Sequence, residues 1–296
     1  MINYHYLLKN PRLFFAFSNT TEQQFCKLLP KFITNLESLR LKHNRERAIG
    51  GGSKPKVFDK PSKLLMFTLF FVRVYPTYDL AQCLFELDKS RLHYWFHLGL
   101  KALEMTAKGN IPLPAVRCKT FEELFVRIPQ LNEHILDATE QRTNRPKYNQ
   151  EDWYSGKKKC HTKKRQIICT PEGRLVGIST VVSGKTNDKT LAEDSLYLLH
   201  APPESTGLAD LGYQGINIAG YDVKIGMPIK KKRKQELSDS EKETNRIVSS
   251  VRVKIENVIG RLKFSKMFSD KIRYRLPIDD MVSNVVGGLY NFKLDF

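Results

Sequence analysis

Three acidic residues have the type and setting needed for metal-assisted work on phosphodiesters. Asp137 ends a short apolar run, Ile135-Leu136-Asp137-Ala138. Asp210 closes Leu208-Ala209-Asp210-Leu211, just before the turn Gly212-Tyr213-Gln214-Gly215. Glu256 lies in a long amphipathic stretch whose apolar stripe is Ile247, Val251, Ile255, Val258, Ile259 and Leu262. Beside that stripe runs a polar one, Ser249, Arg252, Glu256, Gly260 and Lys263, at the three- and four-residue spacing of one helical face. Carboxylates at strand ends, joined by one from a packed helix, offer hard oxygen ligands to hard divalent cations. Two such ions, about 3.5–4 Å apart, activate a nucleophile and stabilise a leaving oxygen. Each acid also has an ordinary reading: Asp137 and Asp210 as turn or cap residues, Glu256 as the i,i+4 partner of Arg252. Gly260, costly in mid-helix, is expected to serve a close approach.

The basic residues point to a polyanionic partner. The chain has 296 residues and a formal net charge of +18, which repels itself unless an anionic partner is near. Two clusters carry much of it. Lys157, Lys158, Lys159, His161, Lys163, Lys164 and Arg165 follow Trp153-Tyr154-Ser155-Gly156, and Lys230 to Lys234 includes Lys231, Lys232 and Arg233. Both suit DNA phosphates, and both also read as solvated loops. The second imitates a nuclear localisation signal, which matters only in a eukaryotic host. Gly184-Lys185-Thr186 and Gly50-Gly51-Gly52-Ser53-Lys54 only superficially resemble phosphate-binding loops, because the required glycine and lysine positions are absent or inverted.

Bulk properties exclude other classes. With 41% hydrophobic residues the chain has enough apolar content for its own cores. Its most apolar window, Leu64 to Val72, is too short to span a bilayer, and the N-terminus shows no secretory pattern. Five scattered cysteines (Cys26, Cys83, Cys118, Cys160, Cys169) make no C-x-x-C pair, so neither a disulfide framework nor a zinc cluster is expected. The expected compartment is a bacterial cytoplasm, without membrane contact.

Several elements must position these residues. Residues 1–53 read as a helical segment, capped at Thr20 or Thr21 and broken or kinked at Pro30, with a glycine linker. Residues 54–108 read as helical. Tyr78 to Phe85, the three-residue turn Glu86-Leu87-Asp88 and a second helix from Lys89 to about Leu100 make a helix-turn-helix pattern. Lys89, Ser90, Arg91 and Tyr94 would face a DNA groove, unless the pair is an ordinary helical hairpin. A connector follows at 109–130. From 131 to 296 the texture becomes mixed α/β. Strands are predicted at His134 to Ala138, Arg165 to Cys169, Leu175 to Val182, Gly207 to Asp210 and Val223 to Ile229, and helices at Asp188 to Leu199 and Ser238 to Phe264.

Taken together, these segments resemble bacterial insertion-sequence transposases of the DDE superfamily, of the insertion-sequence-five-like type distantly related to PIF/Harbinger. The strings that carry the likeness are Lys63 to Leu98, Asp137-Ala138-Thr139-Glu140 with Arg145-Pro146, Tyr154 to Lys159 with His161-Thr162, Ala209 to Gly215, Arg252 to Lys263, and Gly288-Leu289-Tyr290-Asn291-Phe292. The likeness runs from about Gly50 to the end. It implies an RNase H-like catalytic domain after an all-α helix-turn-helix domain. It also implies that Asp137, Asp210 and Glu256 are catalytic and bind two Mg²⁺ ions, for which Mn²⁺ can substitute. Asp137 would bridge both ions, and Asp188, Arg252 and Lys263 would support them. The implied partners are double-stranded DNA, both the element's terminal repeats and the target, and a second copy of the chain. The implied reaction is cleavage at element ends followed by joining of the 3′-hydroxyls to target DNA. The alternative is a catalytically silent, transposase-derived DNA-binding regulator. One departure is visible: the family's turn ends in His-Asp, whereas this chain has Asn187-Asp188.

Overall fold

In the computed structural model the described residues are 4–46, 57–107, 133–194, 204–218, 220, 223–231, 236–274 and 278–296. The connector at 109–130, the linker glycines at 50–52, Lys232 and Arg233 lie outside them. The chain divides into two compact units. One comprises Met1–Asn110, Phe264–Ser269 and Met281–Phe296, the other Ile111–Lys263 and Asp270–Asp280. The N-terminal segment and the helix-turn-helix stretch, expected as separate domains, thus fall in one unit. The final residues, expected with the catalytic domain, fall largely in that unit as well.

The first unit is helical: α1 (Tyr4–Leu8), α2 (Pro11–Ser18), α3 (Glu22–Glu46), α4 (Pro61–Val74), α5 (Tyr78–Phe85) and α6 (Lys89–Ala107). α4 starts on Pro61, whose missing N–H costs nothing in the first turn. Every residue from Leu64 to Val72 is buried, so α4 is apolar all round and forms the centre of the unit. Phe67, Phe71, Phe85 and Phe96 pack there with ring centroids 4.3–5.7 Å apart. The cap of α3 is Thr21, whose hydroxyl accepts from Gln24 N–H while the Gln24 side chain accepts from Thr21 N–H. The expected break at Pro30 does not occur, and α3 is continuous. Pro30 and Cys26 are both exposed, so the carbonyl that proline leaves without a helical partner faces water. α5 and α6 lie where the sequence predicts them. Thr77 caps the first, and Asp88 accepts from Arg91 N–H to cap the second.

The second unit is built on a mixed sheet. Its strands are β1 (Glu133–Arg142), β2 (Tyr154–Ser155), β3 (Cys160–Cys169), β4 (Leu175–Ile178), β5 (Val182–Ser183), β6 (Ser205–Leu208) and β7 (Val223–Gly226). The order is β2-β3-β1-β6-β7, with β4 and β5 also paired to β3. β1 and β3 are antiparallel, whereas β1, β6 and β7 run parallel. The predicted hairpin turns at Gly173, whose φ of 90° suits glycine. The strand predicted from Leu175 to Val182 is interrupted, pairing only as β4 and β5. Helices are α7 (Gln150–Trp153), α8 (Asp188–Asp194), α9 (Asp239–Leu262), α10 (Lys266–Ser269) and α11 (Asp279–Leu294), the last two mostly in the first unit. α9 opens with the predicted capping box of Ser238 and Glu241, and Val248, Ile255, Val258, Ile259 and Leu262 are buried along it. α9 packs on β1, β3 and β6, and α8 packs on β3 and the turn after β6. Leu136, Ile168, Val176, Ala192, Ala209, Tyr213 and Val223 form a core cluster. No helix among the described residues is long and apolar enough to cross a membrane.

The glycine of the C-terminal string has a packing reason. A Cβ at Gly288 would lie 2.3 Å from the Ala107 carbonyl oxygen. Because that neighbour is backbone, Gly288→Ala is expected to cost the helical unit about 1–3 kcal/mol, read as a lower midpoint in urea unfolding.

Candidate active site

Asp137 sits in the middle of β1, the strand with neighbours on both sides, opposite Ile167 of β3. Parallel β6 delivers Asp210 two residues beyond its end, where the carboxylate accepts from Gly212 N–H at 2.7 Å and caps a short 3₁₀ turn, Leu211–Tyr213. Both neighbouring acids, Asp210 and Asp188, raise the Asp137 pKa. Burial contributes most of the rise to about 6, while the Ala138 N–H and Arg252 oppose it. Asp188 opens α8. A Cβ on Gly212 would stand 2.8 Å from oxygens of both Asp188 and Asp210, so a side chain there would push these two carboxylates aside.

Glu256 is exposed on α9, one turn from Arg252. The Arg252 guanidinium lies 3.9 Å from Asp210 Oδ2 and 3.9 Å from Glu256 Oε1, linking the helix acid to the strand-end acid. Lys263 follows α9. Burial and Lys158 lower its pKa, and Asp137 counters them. Gly260 was expected to serve a close approach. A Cβ there would meet nothing within 4 Å, so packing among the described residues does not require the glycine.

The structure places the basic candidates differently from one another. Lys157, Lys158 and Lys159 are exposed on the β2–β3 turn, and Lys231 is exposed. Lys89, Ser90, Arg91 and Tyr94 are exposed on the first turns of α6, where Lys89 pairs with Asp79 and Arg91 with Asp88. Lys163 and Lys164, expected to contact DNA, both make ion pairs within the unit. Lys163 Nζ is 2.7 Å from Asp279. Lys164 is 8% exposed, and its ammonium donates to Asp188 Oδ1 at 2.9 Å and to the Thr186 carbonyl at 2.6 Å. Glu140, opposite Lys164 in the β1–β3 register, lies 4.0 Å from the same ammonium and accepts from the Thr162 hydroxyl at 2.7 Å. Glu140 belongs to a matching string, but nothing in the sequence gave it a role. Its cross-strand pairing with Lys164 becomes visible only once the register is known.

These groups border a cavity of about 510 Å³. Its lining includes Asp137, Glu140, Lys164 and Asp188 together with Tyr154, Lys157, Lys185 and Gln214. Asn187, standing where the resemblance expects histidine, lines it too, and its carbonyl accepts from Leu191 N–H in the first turn of α8.

The donor set suits a hard divalent cation in kind. It is all carboxylate, and mutual repulsion plus burial hold Asp137 partly protonated near neutrality, a strain that a cation relieves. The acids are not drawn into a ready-made ligand group. Among the described residues no three histidine, cysteine, aspartate or glutamate side chains stand close enough to hold a metal ion. The Arg252 guanidinium occupies the gap between Asp210 and Glu256.

A carboxylate-centred site on a mixed sheet flanked by helices is compatible with a metal-assisted nuclease. Residues 136–291 match the DDE superfamily endonuclease family. The chain belongs to that family. A protein described as a probable transposase for insertion sequence element IS702, from Microchaete diplosiphon, is 32% identical over 177 residues, covering 58% of this chain and 61% of that relative. The match therefore spans less than two thirds of the relative's length. No solved structure matches the chain.

Two consequences are measurable. Asp137 has a folded pKa of about 6, above its ordinary value. The native state therefore keeps its full stability at acid pH and loses some as pH rises through 6. Asp137→Asn removes that loss. Without divalent cation it should stabilise the protein by on the order of 1–2 kcal/mol at about pH 8, and by little at about pH 4, in denaturant titrations. Lys164→Met leaves Asp188 and Glu140 without their counter-charge and should cost about 3 kcal/mol or more. Adding Asp188→Asn to Lys164→Met should recover part of that loss. Independent, additive losses would contradict the pairing.

Proposed function

We propose that the chain is a DNA transposase that cuts at the ends of a mobile element and joins the freed 3′-hydroxyls to target DNA. The observation that carries this reading is that Asp137 feels the charge of Asp210, and Arg252 lies between Asp210 and Glu256, within the region matched to the endonuclease family. The relative's description as a probable transposase supports it. On this reading the sheet, with its antiparallel β1–β3 pair and parallel β6 and β7, is an RNase H-like fold. Asp137, Asp210 and Glu256 would hold two Mg²⁺ ions, with Mn²⁺ as a substitute. When bound, the ions supply Lewis-acid stabilisation of the phosphodiester oxygens.

The chain's own residues do the rest. Asp137, half-buried on the central strand, would be the acid nearest both Asp210 and Asp188. Asp210 is held by the Gly212 N–H, and its orientation is thereby set before substrate arrives. Asp188 is kept beside it by Lys164. Arg252 and Lys263 are the cations nearest the acids from α9, placed to meet a scissile phosphate. The exposed Lys157, Lys158, Lys159 and Lys231 add sequence-independent phosphate contacts. α5 and α6 act as a helix-turn-helix that reads the terminal repeats through Ser90, Arg91 and Tyr94. Two ends must be held together, so the working form is a dimer or larger assembly on DNA.

The test is a nicking assay on supercoiled plasmid carrying the DNA that flanks this gene. The wild-type protein should cut with Mg²⁺ and not with EDTA. Asp137→Asn and Glu256→Gln should each lower cleavage at least about a hundredfold while repeat binding, followed by gel shift, persists. Cutting by Asp137→Asn at the wild-type rate would refute the assignment. Repeat binding without any metal-dependent product would favour the silent regulator.

A further inference from the structure

The cavity beside Asp137 has a wall that the acids and their counter-cations do not explain. Tyr154 is 42% exposed and lines that cavity together with Ser155, Gly156, Lys157 and Lys185. An exposed ring beside lysines can stack a base while the lysines meet its phosphate.

The ring is held on fixed backbone. Tyr154 pairs with His161 in the β2–β3 ladder, and their rings meet edge to face at 5.7 Å. The next residue, Ser155, is 2% exposed, and its hydroxyl accepts from Lys158 N–H at 3.2 Å. That bond ties down the turn carrying Lys157. Gly184, also in the lining, lies so close to β3 that a Cβ would fall 1.9 Å from Thr162 Oγ1. The Lys185 backbone is therefore anchored next to a strand. The lysine side chains remain extended into solvent, where Lys185 makes only a loose 3.9 Å pair with Asp152.

The cavity lining is mixed in charge. Asp137, Glu140 and Asp188 would repel a phosphate, even with Lys164 countering the last two. Among the other lining residues, Lys157 and Lys185 suit a phosphate, the Tyr154 ring suits a base, and Asn187 and Gln214 carry amides that suit base edges. The volume, about 510 Å³, lies in the range of small-ligand sites. A base still stacked in a duplex cannot present its face to Tyr154.

We propose that this cavity takes one unpaired nucleotide of a DNA strand, its base stacked on Tyr154 and its phosphate against Lys157 and Lys185. The proposal rests on the reading that the chain acts on DNA, and it adds that the site prefers a strand end or an opened position to intact duplex.

The test uses the full chain in EDTA, so that no strand is cut, with a short single-stranded oligonucleotide carrying 2-aminopurine. Binding should quench the fluorophore. Tyr154→Ala should abolish the quench and weaken the oligonucleotide about tenfold or more by anisotropy, whereas Tyr154→Phe should retain both. Affinity for a blunt duplex of the same sequence should change little in either variant. Lys185→Ala should keep the quench but reduce the salt dependence of binding by about one phosphate contact. Thermal unfolding of each variant shows whether the fold is intact, and Tyr154→Phe and Lys185→Ala carry the test should Tyr154→Ala fold poorly. Wild-type quenching and affinity in Tyr154→Ala would overturn the proposal, as would equal losses on single strand and duplex. A parallel plasmid-nicking assay with Mg²⁺ keeps the two readings apart. A quench that depends on Tyr154 in a protein that never nicks would remove the transposase reading and leave the nucleotide site standing.

Discussion

The second unit is organised around the cost of crowding negative charge. Asp137 is largely withdrawn from water on the central strand, and burial raises its pKa to about 6 with smaller contributions from Asp210 and Asp188. Such a cluster destabilises a fold unless cations accompany it. The chain supplies them from three directions: Lys164 from β3, Arg252 from within α9, and Lys263 from just beyond that helix. Each is tied to a different acid. Lys164 neutralises Asp188 and Glu140 in the interior, and Arg252 bridges Asp210 and Glu256 nearer solvent. The residual repulsion at Asp137 adds to the burial that already raises its pKa.

Backbone geometry makes this crowding possible. Parallel β6 ends beside the start of β1, so the chain leaving β6 carries Asp210 toward the middle of its neighbour. Gly212 then lets Asp188 and Asp210 share a space that any side chain would fill. Gly184 performs a similar service one segment earlier. By accepting contact with Thr162, it brings the turn before α8 against β3, within reach of Lys164. Small residues at these two turns, rather than any single strong bond, set the distances among the acids.

Much of this was legible in the sequence, for identifiable reasons. The capping box at Ser238 and Glu241 and the long apolar stripe made α9 readable, and with it the shared polar face of Arg252, Glu256 and Lys263. Asp210 was marked by the turn that follows it. The partners of Lys164 were not legible, because a run of basic residues looks solvated when its strand register is unknown. Once Glu140 is opposite Lys164 and Gln141 opposite Lys163, alternate lysines point to opposite faces and both find acids. The division of the chain was hidden for a different reason. Phe264–Ser269 and the residues from Met281 onward group with the helical unit although they follow the catalytic stretch, and no local signal encodes such a long-range return.

One further layer explains why the register itself is secure. Arg165 is almost wholly buried, and its guanidinium donates to Gln141 Oε1 at 2.8 Å. Gln141 in turn donates to the Asp270 carbonyl at 2.7 Å, and Asp279 takes both Lys163 and the Tyr274 hydroxyl. These bonds tie Asp270 and Asp279 to β1 and β3, just along the strand from Asp137. A one-residue slip of β1 would turn Asp137 to the other face of the sheet and leave Arg165 buried without Gln141. An apolar contact would tolerate such a slip at small cost, whereas a buried guanidinium stripped of its acceptors would not. The polar layer behind the site is therefore expensive to build, and what it secures is the face of the sheet on which the central carboxylate stands.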